Sequence, residues 1–413
     1  MRFAVINLPA LALCSLLLVW QSSGANDLND LIEGLYGGDG ITLSLDPGAV
    51  IHNAHFQADS LAELAELSSG IAELSFPALS SQGGLTFEFD PVLNEFVQST
   101  DSLGPILTER AETNGKGRFS LGVAYTYISF TEFEGEDLDN LRIELTHLGV
   151  GDGSEDNGYK FKRDVVVLDL EVELESQVFS IFGTYGVLDQ LDVGFLLPII
   201  RNELDVRSFG SVRVDESLVL GHPNFPDGFH SFDNAIDPAN DSASGSDTGI
   251  GDLLLRSKYN FQKSGKVKMS AALEVRLPTG DPDNFRGLHR AGIKPSLIFS
   301  SGSMIGDTFV SPHANLGFDV NAGTEGQEEI DYAVGVDWTR KVGDDLFTFG
   351  VDVVGSSEVT NKDGIGDDIL DLSVGLKWNF FNQQLFFASL QSPLNSDGLR
   401  ADVVSTFGYE VTF

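Results

Sequence analysis

The sequence predicts an all-β fold: a transmembrane antiparallel β-barrel of about twelve strands, preceded by an N-terminal mixed plug segment. Three observations predict it. First, the C-terminal stretch alternates: Leu399, Ala401, Val403, Ser405, Phe407, Tyr409, Val411 and Phe413 are apolar or small, and Arg400, Asp402, Thr406, Gly408, Glu410 and Thr412 between them are mostly polar. A period of two puts one set on each face of a strand. Second, similar stretches recur from Gly117 onward, joined by connections that are short and long in turn. Third, no segment after the N-terminus has the ~18 uninterrupted apolar residues that a spanning helix needs.

At the N-terminus, Arg2, an apolar run from Leu8 to Trp20 and the small residues Ser23, Gly24 and Ala25 have the three-part grammar of a secretory signal peptide, cleaved after Ala25. Cys14, the only cysteine, lies inside residues 1–25. A lipoprotein reading would lipidate it, but bulky Leu13 precedes it. The remaining chain then has no disulfide and no thiolate metal site.

Residues 26–116 do not read as barrel. Ser60 and Glu63 form a capping-box pattern, and Leu61, Leu64, Leu67, Ile71 and Leu74 recur at helical spacing, predicting a short helix over Asp59 to Leu74. Leu85 to Asp90 and Glu95 to Ser99, joined by Pro91-Val92-Leu93-Asn94, predict a hairpin. Two readings stand for this segment: a globular periplasmic appendage, or a plug inside the barrel mouth.

Residues 117–413 supply the barrel. Phe119 to Tyr127, Val165 to Tyr185 and Leu191 to Ile199 open the series. Gly249 to Gln262, Lys266 to Leu277, Ala291 to Ser301 and Asp307 to Val320 follow. Ile330 to Thr339, Phe347 to Val353, Leu370 to Phe380, Gln383 to Gln391 and the terminal stretch complete it. The turns Gln262–Gly265, Val342–Asp345 and Phe381–Asn382 are short. The connections Glu132–Arg163, Ser208–Thr248, Thr279–Arg290, Asn321–Glu329, Ser356–Asp367 and Ser392–Gly398 are longer. With twelve strands, every long loop falls on one side and both termini on the other, the pattern of outer-membrane barrels.

The faces argue the same way. In a soluble barrel the apolar face would turn inward, and so many large residues would overfill it. In a membrane the apolar face meets lipid, and Gly, Asp, Lys and Thr line a polar lumen. Tyr332, Trp338, Trp378, Tyr409 and Phe413, near strand ends, suit the interfacial girdle. A net charge of −37, from 62 acidic and 25 basic residues, excludes a nucleic-acid partner, which needs clustered Lys and Arg.

Several stretches resemble the outer-membrane, transporter-like family associated with the meta-cleavage pathway of phenol degradation. They are Thr184-Tyr185-Gly186-Val187 with Leu191-Asp192-Val193-Gly194 and Pro198, Gly249-Ile250-Gly251-Asp252-Leu253-Leu254-Leu255-Arg256 with Lys258-Tyr259, and Arg276-Leu277-Pro278-Thr279-Gly280-Asp281. Gly104-Pro105-Ile106-Leu107 with Glu109-Arg110-Ala111-Glu112 resembles a leader of members with a long N-terminal segment. These are turn-and-strand motifs, so they speak to fold and location more than to substrate. The resemblance implies passage of small, aromatic or hydrophobic compounds across the outer membrane.

Twelve residues are candidates for the lumen or pore lining: Asp169, Glu171, Glu173, Arg256, Lys258, Glu274, Arg276, His313, Asp337, Lys377, Arg400 and Asp402. Asp169, Glu171, Glu173 and Glu175 share a face. In the lumen they would favour cations and repel anions; at the outer rim they could bind divalent ions with lipopolysaccharide; the remaining reading is a solvated part of a strand projecting above the membrane. The lumen charges are expected to compensate one another. Asp281-Pro282-Asp283-Asn284 and the run Asn361 to Asp368 offer oxygen ligands, but neither has EF-hand spacing, so no metal site is assigned. His313 has Ser311 two residues away, but without a nucleophile-elbow motif no catalytic residue is assigned. No cofactor is expected.

The expected function is therefore a non-enzymatic outer-membrane channel or facilitator for passive uptake of small molecules. The alternatives are a non-conducting receptor or surface barrel and, third, an outer-membrane hydrolase. Its expected partners are the lipid bilayer and lipopolysaccharide, a small-molecule solute, and the barrel-assembly machinery reading the strand that ends in Phe413.

Overall fold

Alternation makes each strand two-faced, and pairing of the last strand with the first leaves no open edge. The computed structural model describes residues 27–36, 43–44, 51–52, 87–90, 95–98, 102–105, 107–146, 165–213, 232, 239–322, 328–343, 345–359, 368–380 and 383–413. The wall consists of β1 Phe119–Phe130, β2 Val165–Leu188, β3 Leu191–Arg213, β4 in two lengths Asn240–Ile250 and Leu253–Gln262, β5 Val267–Leu277 and β6 Gly292–Ser301. It continues with β7 Thr308–Asn321, β8 Glu328–Val342, β9 Asp345–Glu358, β10 Asp368–Phe380, β11 Gln384–Pro393 and β12 Val404–Thr412. Neighbours in sequence are neighbours in space, all antiparallel, and the 12 strands form a closed barrel. Closure is between β12 and β1, in register from Ser405–Tyr127 to Thr412–Ser120. It is completed by Phe119 N–H donating to the Phe413 carbonyl at 3.2 Å and Phe413 N–H donating to the Phe119 carbonyl at 2.8 Å.

The outward faces are apolar over most of the wall: Leu376 is 60% exposed and Val334 58%, with Leu255, Leu273, Phe349 and Phe407 also exposed. A band of this extent far exceeds the few hundred Å² a soluble monomer leaves bare, and it suits lipid. Near the short-turn end, rings cluster in a belt. Trp338 stacks on Phe349 at 5.8 Å, Phe347 on Trp378 at 5.7 Å, Phe380 on Phe386 at 5.1 Å, Phe386 meets Tyr409 at 5.0 Å, and Phe119 stacks on Phe413 at 6.4 Å. Four of the five expected girdle residues lie in it; Tyr332, four residues from the long-loop end of β8, stands apart.

β2 and β3 are 24 and 23 residues long, about twice what a tilted strand needs to cross a bilayer, so they project beyond it. The change of medium is written on their outward faces. Phe179, Ile181 and Tyr185 on β2 give way to Glu175, Glu173, Glu171 and Asp169, and on β3 Phe195, Leu197 and Ile199 give way to Glu203, Asp205 and Arg207. Inside the projecting part, Leu168, Leu170, Val172, Leu174, Leu204 and Val206 are buried in an apolar core. A helix, α1 (Leu28–Glu33), adds Leu28 and Ile32 to that core. Leu28 N–H donates to Asn284 Oδ1 at 3.1 Å, and the Tyr36 hydroxyl lies 2.7 Å from Ser208 Oγ.

Several expectations change. The Ser208–Thr248 loop is shorter than its sequence suggests: β3 runs to Arg213 and β4 starts at Asn240, paired from Phe209–Asn240 to Ile199–Ile250. The stretch Asn240 to Gly249 is polar and small on both faces, so alternation is silent there. The Glu132–Arg163 connection holds a two-stranded hairpin (Glu132–Phe133, Glu136–Asp137) and a strand, Leu141–Thr146, that pairs with the outer part of β2. The terminal stretch is not one strand. Leu399–Arg400 pairs with Glu132–Phe133, and β12 begins only at Val404. Arg400 and Ala401 are both buried, which breaks the alternation, and Asp402 turns outward to accept from Thr131 Oγ1 at 3.2 Å. The expected hairpin is found as Phe87–Asp90 paired with Glu95–Gln98. The helix expected over residues 59–74, the expected signal peptide and the run 361–367 lie outside the described residues.

Candidate functional site

Small and polar residues on the inward faces leave room in the lumen, and residues 102–105 and 107–116 run across its short-turn half. Most contacts pair a backbone group of this segment with a side chain of the wall. Lys377 Nζ donates to the carbonyls of Leu103 at 3.3 Å and Pro105 at 2.5 Å. Thr108 Oγ1 donates to Asp352 Oδ1 at 3.2 Å. Lys258 Nζ, 1% exposed, donates to the Arg110 carbonyl at 2.9 Å and also to that of Glu112. The Ala111 carbonyl accepts from Asn260 Nδ2 at 2.8 Å and from Ser270 Oγ. Asn114 N–H donates to Asp192 Oδ2 at 2.8 Å, and Thr113 Oγ1 to the Asp189 carbonyl at 2.8 Å. Buried backbone groups must be paired, and here the wall pairs an extended chain that has no sheet of its own.

Charges fix the same segment. Glu109 meets Arg256 at 2.7 Å, and Arg256 also reaches Glu274 at 3.3 Å, its neighbour across the β4–β5 register. Glu112 meets Lys268 at 2.9 Å and accepts from Ser300 Oγ at 2.8 Å. Burial opposes ionisation of Glu112, but the Lys268 ammonium and the Arg110 guanidinium outweigh it and bring the carboxyl down to about 2.

Beneath Thr108 the wall carries an ionic bracket. His313, Gly335 and Asp352 are register partners on β7, β8 and β9. With no side chain on Gly335, His313 Nε2 reaches Asp352 Oδ1 at 2.6 Å, and Asp337 Oδ2 lies 3.6 Å from Nδ1. A Cβ at Gly335 would collide with both Asp352 and His313. Ser311 Oγ donates to the Ser301 carbonyl at 2.9 Å rather than to His313, so these residues do not form a nucleophile–base pair.

The structure therefore divides the twelve candidates. Arg256, Lys258, Glu274, Arg276, His313, Asp337, Lys377 and Arg400 point inward; Arg276 pairs with Asp319 at 3.6 Å, and Arg400 with Asp371 rather than with Asp402. Asp169, Glu171 and Glu173 point outward, contrary to a lumen position, because this part of β2 projects into water and its inward positions carry the Leu and Val core. Asp169 pairs with Arg142 at 2.8 Å and Glu171 with Arg207 at 3.6 Å. In the same outer ladder, hydrogen bonding to Arg213 holds Glu144 below the usual carboxylate range. Asp402 lies in the loop before β12, also off the lumen. The Asp281–Asn284 loop is engaged in structure: Arg286 Nη2 donates to Asp281 at 2.9 Å and Asn284 Nδ2 to Asp27 at 3.1 Å.

Sequence reasoning did not single out Glu109, Arg110 and Glu112 as site residues, nor Lys294, Asp319, Glu329, Asp331 and Asp352 on the wall. The wall residues share parity with residues already assigned inward, His313 with Asp319 for example, so the signal was present. In the segment, Glu109-Arg110-Ala111-Glu112 stood out only as a family-like stretch, and no periodicity there pairs Glu109 with Arg256 or Glu112 with Lys268.

Solved structures with a similar fold include an outer membrane channel of Pseudomonas putida F1, 13% identical, covering 73% of this chain and 98% of that one with a TM-score of 0.40. They also include the NanC porin (9% identical, 70% and 98% covered, TM-score 0.36) and the CymD monoaromatic hydrocarbon channel (12% identical, 72% and 89% covered, TM-score 0.31). No curated protein matches the chain. The family described as "Putative MetA-pathway of phenol degradation" matches residues 154–398, well over half of the sequence, and the chain belongs to that family.

Proposed function

We propose that the protein is an outer-membrane channel for passive diffusion of small molecules, narrowed from within by the segment ahead of β1. One observation carries this reading: a closed barrel with a lipid-compatible exterior keeps space in its lumen, and the chain filling its short-turn half is held largely by side-chain hydrogen bonds and ion pairs, with apolar contacts confined to small clusters at Leu103, Leu107 and Ala111. Polar contacts of this kind exchange with water at modest net cost, on the order of 1 kcal/mol each. Such a segment can constrict a pore without sealing it as a packed core would.

In this reading residues 1–25 direct secretion and are removed after Ala25, and the long loops face outward. The strand ending in Phe413 is what the assembly machinery reads, and the carboxylate face of β2 meets lipopolysaccharide. Deleting residues 26–116 is the test. The reconstituted variant is expected to show a larger single-channel conductance in planar bilayers than the full protein; equal conductance would refute the constriction. Vesicles carrying the full protein should swell in small neutral solutes. Failure of both forms to conduct or swell would favour a non-conducting receptor.

A further inference from the structure

On the long-loop side of residues 107–109 the lumen opens into a cavity of about 490 Å³, the size of a small-molecule pocket. Its two sides differ in chemistry. The strands β1 to β4 present Ile128, Phe130, Val178, Leu196, Ile200 and Leu254 to it, with Arg256 and, between the two lengths of β4, Asp252 as the charged exceptions. The strands β5 to β8 present Glu274, Arg276, Lys294, Asp319, Glu329 and Asp331. A uniformly wet pore would need no apolar wall, and a site for a pure hydrocarbon would not desolvate six charged groups, which is costly.

The charged wall also has a sign. Register sets Asp319 opposite Glu329, and Glu329 opposite Glu358, so three carboxylates stand in a row across β7, β8 and β9. Like charges directly opposed on a sheet repel, and Asp331 follows two residues along on the same face. The cations of this wall pair with part of it: Lys294 meets Asp331 at 3.0 Å and Glu274 at 3.8 Å, Arg276 meets Asp319 at 3.6 Å, and neither reaches Glu329 in these pairs. Carboxylates remain in excess.

We infer that this cavity is a binding site for a small organic ammonium, its apolar body of about one ring lying against β1 to β4 and its ammonium group among Asp319, Glu329 and Asp331. The ammonium offers three N–H donors to a wall of acceptors and relieves the repulsion along the row. A carboxylate of the same shape meets that repulsion instead. The inference deepens the channel reading by naming the class of solute that pauses in the lumen.

The test is saturation-transfer NMR on the full protein in lipid nanodiscs, with empty nanodiscs as the control for partitioning, using benzylammonium, benzoate and methylammonium as probes. Benzylammonium is expected to bind at least ~10-fold more tightly than benzoate, which has the wrong charge, and than methylammonium, which lacks the ring. Glu329→Gln, close in shape, should cut that preference several-fold, and Leu254→Asn should weaken every aromatic probe alike. Heat-modifiable gel mobility confirms that both variants are folded barrels. Equal binding of benzoate and benzylammonium, or a preference unchanged in Glu329→Gln, overturns the site. Binding does not require conduction, so a protein that binds but does not conduct refutes the channel alone, and one that conducts without binding refutes the site alone.

Discussion

Lys258→Met is the sharpest probe of the internal segment. The side chain keeps its length and loses its donors. In the structure those donors hold the carbonyls of Arg110 and Glu112 at a position only 1% exposed. A buried acceptor left without a partner costs ~1–3 kcal/mol, so two of them weaken docking by at least ~2 kcal/mol. That is about a 30-fold shift in the ratio of docked to undocked segment. Ala111 keeps its own bonds from Asn260 and Ser270, so the segment should loosen locally and not leave. Single-channel recording in planar bilayers at constant salt should show more frequent visits to the high-conductance level. Lys377→Met, acting on the separate carbonyls of Leu103 and Pro105, should do the same, and the double variant should be near additive. Lys263→Met, in an exposed turn, is the control. If Lys258→Met lowers barrel stability but leaves opening frequency at the wild-type level, the lysine braces the wall and not the segment.

Gly335→Ala should cost ~3 kcal/mol, because the added Cβ must push apart the buried His313–Asp352 pair that meets over the glycine. Urea unfolding followed by heat-modifiable gel mobility measures it, and an unchanged midpoint would contradict the bracket. For Glu112 the sign follows from its depressed value of about 2 against an ordinary ~4.3. Its stabilisation of the docked segment is complete above the ordinary value and is lost as pH falls through the depressed one. Conductance should therefore be constant from neutral pH down to about 5 and rise between about 4 and 2, and Glu112→Gln should abolish that rise.

Period-two alternation made the wall legible because, between lipid and a wet lumen, each face has one chemistry. It misled where that condition fails. Asp169 and Phe179 lie on the same outward face of β2 but in different media; reading every charged face as a lumen face put the carboxylates inside, against the parity they share with Phe179. The inward Leu168, Leu170 and Val172 held the correction: a lumen face that turns continuously apolar has left the membrane and become a core. At the other extreme, Asn240 to Gly249 has no apolar face at all, and only its register with β3 makes it a strand.

The candidate site was legible as a set of inward residues and not as a set of contacts, for a physical reason. A lumen charge can be satisfied by a neighbour two strands away, as His313 is by Asp352 across Gly335, or by the backbone of a segment over a hundred residues distant, as Lys258 is by Arg110 and Glu112. Neither distance in sequence nor residue type selects between these partners; register does. On β7, β8 and β9 antiparallel pairing sets Asp319 opposite Glu329 and Glu329 opposite Glu358. On the binding reading proposed above, that local register, and not the residue types alone, sets the charge a bound molecule would carry.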